Sequence, residues 1–391
     1  MSNPKIMQFV EGLKSRSEEK RVKAAMDLQR YVTTELREQS LDEFLSFLDE
    51  FNHHIFEMIS SNDINEKKGG IYAIMSLVDV DVGQKGQRIS RFANYLRNLF
   101  NSVMDIKVME LTAKAVGRLA LASGTLTAEY VEDLVKRSFE WLQGDRNEGR
   151  RHAAVLVLRE LALSVPTYFF QQVQQFLDVI FNAVRDPKPA IREGAVAALR
   201  VALTITAQRE TKEIPQIMWY KQCLTEVWSG FDDQNPLKDR NLTRDDRIHG
   251  SLLVLNELLR CSNNEWESLV QQLSHLTHCQ APPPKKEGMS SMMSRLRRGH
   301  TGSLSSSAQT PHEILNSLPS YPASTISGSE NSILDQPCES TTCRDLLLEK
   351  YDSICTQVLN QRTSKNGLIQ SALLQILPRL AALNKDKFAE S

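Results

Sequence analysis

Several groups of side chains in the 391-residue sequence have the types and spacing to do chemistry. His275, His278 and Cys279 in SHLTHCQ, with Cys261 upstream, offer imidazole and thiolate ligands for a metal. Their spacing fits no standard zinc pattern, and a surface or loop role is the preferred reading. Arg150, Arg151 and His152 follow Asp145, and Arg192 follows Asp186. Guanidinium groups behind an acidic turn suit either anion binding or a ladder of turn-to-helix hydrogen bonds between neighbouring elements, and the ladder is preferred. Arg297 and Arg298 stand upstream of Thr301 in RLRRGHTGS, the arrangement that a kinase selective for basic sequences reads before a phosphoacceptor hydroxyl. His53 and His54 are adjacent in EFNHHIFEMI, so a helix is expected to bury one and leave the other in water. There is no GxGxxG, Walker lysine, HExxH or GxSxG motif, and GQKG at 83–86 reads as a turn between helices. No catalytic, cofactor-binding or metal residue is therefore assigned.

The elements that position these groups are visible in the stretch DPKPAIREGAVAALR at 186–200. Alanine is the strongest helix former, and small side chains let a second backbone approach, so the stretch reads as a helix packed tightly on a neighbour. Its stripe of Ala195, Leu199 and Ala202 recurs as Ala154, Leu158 and Leu161, as Ala115, Leu119 and Ala122, and as Ala73, Leu77 and Val80. The successive shifts are 41, 39 and 42 residues, and each stripe lies on one face of a helix. An acidic turn precedes each copy: Asp186, Asp145, Asp105 and Asp63. Longer-sided amphipathic segments at 127–144 and 166–184 lie between the copies, so each unit is a helical hairpin. Weaker copies at Ala24, Leu28 and Tyr31, at Ser251, Leu255 and Leu258, and at Leu373, Leu377 and Leu380 bring the total to about seven hairpins.

The fold class expected is all-α, a HEAT/armadillo-type α-solenoid without β-sheet. Residues 4–262 form its first part and 342–385 its continuation. Residues 280–341, rich in Ser and Pro, read as a long disordered insertion. A smaller insertion at 210–242 still contains IMWYKQCLTEVWSGF, which can supply one outer helix. The chain stops after an apolar inner helix without a polar capping helix, which leads to the expectation of a longer parent.

Apolar residues make up 41% and charged residues 24%, and the net charge of -1 supplies no global field for nucleic acid or anionic membrane. No leader-like or spanning segment is seen, so a cytosolic or nuclear protein is expected. The six cysteines lie in the C-terminal half and form no CxxC pair, which favours reduced, mostly buried thiols. Arg91, Phe92, Tyr95, Leu96 and Leu99 in SRFANYLRNLF form an outer-helix stripe with two readings, core packing or a protein-docking surface.

Several phrases are more specific than the repeat: GLKSRSEEKR, NHHIFEMISSNDINEKKGG, RFANYLRNL, DRNEGRRHAAVLVLREL, DPKPAIREGAVAALR and TRDDRIHGSLLVLNEL. Together they closely resemble the N-terminal HEAT solenoid of the target-of-rapamycin protein kinases, from about Ile6 to Leu259 and again over 343–383. The resemblance implies a scaffold role in the kinase complex, with a Raptor-type subunit, a Rheb-type GTPase, the rest of the kinase and its dimer mate as partners. It implies a cytoplasmic location, and the lysosomal surface and nucleus as part of the complex. It also implies that the parent is a serine/threonine kinase whose catalytic domain lies far downstream of this chain. By the same resemblance 91–99 matches the part associated with the GTPase contact, with Phe92 and Tyr95 as aromatic anchors. The competing reading is a free-standing HEAT adaptor, such as a phosphatase scaffold or a transport receptor.

Overall fold

The computed structural model describes residues 3–81, 84–102, 105–232, 242–262 and 341–390. They fall in one compact unit, Met1–Thr277 with Glu339–Ser391. The described residues contain helices and no strand. Helices α1 (Pro4–Leu13) and α2 (Glu18–Thr33) form a first hairpin, α3 (Leu41–Ser60) and α4 (Ile64–Leu77) a second, and α5 (Lys85–Ser102) and α6 (Ile106–Ser123) a third. The fourth pairs α7 (Ala128–Gly144) with α8 (Glu148–Ser164), and the fifth pairs α9 (Pro166–Gln171) and α10 (Val173–Val184) with α11 (Pro189–Arg209). Helices α12 (Glu213–Phe231) and α13 (Arg244–Ser262) make the sixth. In the seventh, α14 (Thr341–Glu349) and α15 (Tyr351–Asn360) precede α16 (Gly367–Leu383), and a short α17 (Lys385–Glu390) follows. Consecutive inner helices, α2, α4, α6, α8, α11, α13 and α16, pack on one another. This is the stack of a HEAT-type α-solenoid.

The repeating stripe is the spine of that row. Leu28, Leu77, Leu119, Leu158, Leu199 and Leu255 are all buried, as are Ala73, Ala115, Ala154 and Ala195. Each buried leucine contributes about 2 kcal/mol of transfer free energy. Ala24, Ala122 and Leu377 are only half-buried. The small residues matter where backbones meet: a Cβ on Gly194 of α11 would collide with the Val155 side chain of α8. The acidic turns start the inner helices. Asp63 accepts from Asn65 N at 2.6 Å and Asp105 from Val108 N at 2.9 Å. Asp145 instead accepts from Asn147 N at 2.8 Å, and Asn147 caps α8. These contacts satisfy amide protons that the first helical turn leaves without partners.

The structure corrects several details of the sequence reading. The outer segment 166–184 is two helices, broken at Gln172, so that Phe169 and Phe176 both enter the core with ring centroids 5.2 Å apart. The segment after Thr341 is likewise broken at Lys350. Gly86 lies in the first turn of α5 rather than in a connecting turn. Glu213–Phe231 is the regular outer helix of the sixth hairpin, not part of an insertion. Neither histidine of the 53–54 pair is buried: the His53 side chain is exposed, His54 is half-buried, and both face Glu57, at 3.3 and 3.1 Å. The stretch read as a disordered insertion, apart from its last residue, lies outside the described residues, together with Thr301, His275, His278 and Cys279.

Candidate docking face on the outer helices

Helix α3 begins with a capping box in which Ser40 and Glu43 bond reciprocally, and its apolar face buries Phe44, Phe47, Phe51 and Ile55. Helix α5 lies beside it and buries Ile89, Phe92, Leu96 and Leu99. The apolar stripe of α5 is wider than its neighbours cover, and this sorts the five candidate residues. Phe92 and Leu96 are 0% exposed and Leu99 is 2% exposed, so they belong to the core. The expectation that Phe92 is an aromatic anchor for a partner is thereby corrected, since its ring is sealed beneath α5. Tyr95 is half-buried, and Arg91 is exposed with its guanidinium 3.7 Å from Asp49.

Tyr95 meets Phe56 of α3, with ring centroids 5.4 Å apart and planes tilted by 45°. Phe56 is 47% exposed, so the pair presents aromatic surface to solvent. Beside it is a cleft of about 470 Å³ lined by Phe56, Ile59, Ile64, Tyr95 and Leu99, with Ser60, Asn62, Lys67, Asn98 and Asp105 supplying the polar part. The polar groups are held in place by the turns. Lys67 Nζ donates to the Ile59 carbonyl at 3.0 Å, and Asp105 caps α6. An apolar centre with fixed polar groups around it suits an inserted protein side chain. Sequence reading missed Phe56 and Ile64; the signal for Phe56 was an aromatic residue in EFNHHIFEMI next to Ile55 and off the apolar face that α3 buries.

The arginine cluster resolves as the ladder. The fourth residue of an inner helix reaches back to a carbonyl of the preceding turn in six hairpins: Arg21 to Ser15, Lys67 to Ile59, Arg151 to Asp145, Arg192 to Asp186, Arg247 to Asp232 and Gln370 to Ser364. Several also reach forward to the next hairpin. Arg151 Nε donates to Asp186 at 2.6 Å, and Arg192 Nη1 donates to Asp246 at 2.8 Å. Arg150 pairs with Asp145 at 3.1 Å. His249, which sequence reading passed over, accepts from Arg192 Nε through Nδ1 at 3.0 Å. Burial, reinforced by the Arg192 charge, pushes its imidazolium pKa down to about 4. His152 is also lowered, chiefly by burial. These guanidinium groups are occupied by protein acceptors, which favours a structural role over anion capture.

Among the described residues no group of three or more His, Cys, Asp or Glu side chains is arranged to hold a metal ion. No described helix is long and apolar enough to cross a membrane.

Comparison with known proteins shows that the chain is similar to the amino-terminal region of target-of-rapamycin serine/threonine kinases. It is 43% identical to the serine/threonine-protein kinase mTor of Drosophila melanogaster across 98% of this chain and 16% of that protein. It is 38% identical to the kinase tor1 of Schizosaccharomyces pombe across 66% of this chain and 10% of that protein. With the Arabidopsis thaliana kinase TOR the identity is 35%, across 61% and 9%. The chain thus spans a sixth or less of the length of these relatives. No protein-family profile matches it. A chain of a solved Kap95p–RanGDP structure is 12% identical with a TM-score of 0.44, across 98% of this chain and 41% of that one.

Proposed function

From the similarity of this chain to the amino-terminal region of the target-of-rapamycin kinases, we propose that it is a non-catalytic scaffold segment of such a kinase. Its task is to present a fixed array of helix faces on which a Raptor-type subunit and a Rheb-type GTPase are seated for nutrient and growth signalling in the cytoplasm. Within the assembled complex it is also carried to the lysosomal surface and the nucleus. The observation that carries this reading is the 43% identity to the Drosophila kinase along almost the whole chain. A stack of hairpins suits the role, because each unit braces the next and the outer surface is free to vary.

The GTPase contact is assigned to the α3–α5 face, with Tyr95 and Phe56 as aromatic anchors and Arg91 at the rim. Phe92, Leu96 and Leu99 hold that face in place from below. Aromatic residues at the centre of a contact typically dominate its affinity, whereas rim charges tune specificity.

Two measurements test the proposal. Co-purification of this chain with a Raptor-type subunit tests the scaffold role, and failure to recover a complex from purified components overturns it. For the docking face, binding to a Rheb-type GTPase loaded with a GTP analogue is compared between the natural chain and a Phe56→Ala, Tyr95→Ala variant. The variant should bind about tenfold more weakly, the equivalent of 1.4 kcal/mol, with an unchanged helical circular dichroism spectrum. Unchanged affinity would remove the face from the contact.

A further inference from the structure

Three buried thiols converge where the sixth hairpin meets the seventh. Cys223 comes from α12, Cys261 from the end of α13 and Cys343 from the start of α14. Cys343 Sγ donates to the Leu258 carbonyl at 3.5 Å, three residues before Cys261 on the same helix. The thiols of Cys261 and Cys343 lie within hydrogen-bonding reach of each other, and Cys223 is close enough to be felt electrostatically by both. Cys261 and Cys343 are 82 positions apart in sequence, so only the packing of α14 on α13 brings them together.

We propose that Cys261 and Cys343 are a site of reversible oxidative modification, forming a disulfide with hydrogen peroxide as the oxidant. Both thiols are buried, and the first step is assigned to Cys261, at the end of α13. Its thiolate sulfur attacks one peroxide oxygen and the O–O bond breaks. The departing hydroxide takes a proton and becomes water, leaving a sulfenic acid on Cys261. Cys343 sulfur then attacks the sulfenyl sulfur, the S–O bond breaks, and the second oxygen leaves as water with the remaining proton. The two thiols lose two electrons in total, and one peroxide is reduced to two waters. Burial holds the Cys261 and Cys223 thiols protonated well above the usual thiol range, so thiolate is scarce and the reaction is slow. The product ties the end of α13 to the start of α14, so both ends of the intervening chain are held at one point.

The test is peptide mapping by mass spectrometry of the purified chain after exposure to hydrogen peroxide, digested without reductant. The expected result is a Cys261–Cys343 linked peptide that accumulates with time, disappears on treatment with dithiothreitol, persists in a Cys223→Ala variant and is absent from a Cys343→Ala variant. The bond should also raise the thermal unfolding midpoint of the oxidised chain relative to the reduced chain. Two results overturn the proposal: recovery of both thiols unlinked after prolonged oxidation of the folded natural chain, or a linked peptide dominated by Cys223.

Discussion

The front of the inner row, α2 to α6, and the back, α8 to α13, use the same hairpin but hold it together differently. At the back, charged pairs join an inner helix to the following hairpin: Arg151 with Asp186 of the turn before α11 at 2.6 Å, Arg192 with Asp246 at 2.8 Å, and Arg200 with Glu257 at 2.6 Å. At the front, the buried Arg21 meets the neutral amide oxygen of Asn65 at 3.1 Å, and the fourth residue of α6 is the buried Met109. Close backbone approach is used at both ends: Gly69 of α4 leaves space for the Leu13 carbonyl and Gly250 of α13 for the Val184 carbonyl. Helices α4 and α6 also run about one turn further before their stripe alanine than α2, α8 and α11 do, which moves the ladder position away from the stripe. The ladder position itself can thus hold a charged side chain or, as at Met109, a buried apolar one. Charged partners tie the back hairpins to specific neighbours in a way that the front's neutral and apolar contacts do not.

The largest effect expected from breaking this contrast is at Arg192. An Arg192→Ala chain leaves the His249 ring nitrogen and two turn carbonyls without their donor and takes the ion-pair partner from the half-buried Asp246, and it should lose about 3 kcal/mol, read as a fall in the urea midpoint. A loss no larger than that of Arg118→Ala, whose exposed pair with Asp79 is worth below about 1 kcal/mol, would show that the back is not held by charge. Gly69→Ala should cost about 1–3 kcal/mol by forcing α4 off α1, because the colliding atom is backbone and cannot rotate away. An unchanged midpoint there would remove the claim that the front depends on close approach.

Acidification should weaken the back selectively. The His249 pKa lies at about 4 in the folded chain, below its usual value of 6.5, so the unfolded chain binds the extra proton between these values. Stability therefore falls as pH drops from about 6.5 toward 4. Urea midpoints at pH 7.5 and pH 5 should differ, and His249→Gln, which keeps an acceptor for Arg192, should shrink the difference. Hydrogen bonds lower Asp63 and, against the opposing effect of burial, Asp145 from the ordinary carboxylate value. The smallest effect sharpens the contrast from the other side. Asn65→Asp gives Arg21 a carboxylate near a helix N-terminus and should raise the midpoint by the equivalent of about 0.5–1 kcal/mol at neutral pH.

The repeat was legible because it is local. An Ala-Leu stripe with offsets of four and seven, an acidic turn in front and an amphipathic partner helix define a hairpin with no knowledge of its neighbours. The Arg ladder was half legible: Arg151 and Arg192 stand out behind their turns, whereas Asp246, His249 and Glu257 carry no signal of their own. The docking face was less so. The stripe on α5 names Phe92 and Tyr95 as equals, and their fates differ because α3 and α6 cover one side of the helix more than the other.

By itself, then, the sequence determined the helical class, the forty-residue period, most of the inner and outer helices and the acidic turns of which Asp63 and Asp105 are caps, all set by contacts within a few turns of chain. Only tertiary structure decided that Arg192 reaches Asp246, 54 residues away, that Tyr95 meets Phe56, and that Cys261 faces Cys343. The physical reason is that helical periodicity fixes the direction in which a side chain leaves its own helix. The rotation and offset at which the next helix stacks, which no single segment encodes, fix what that side chain meets.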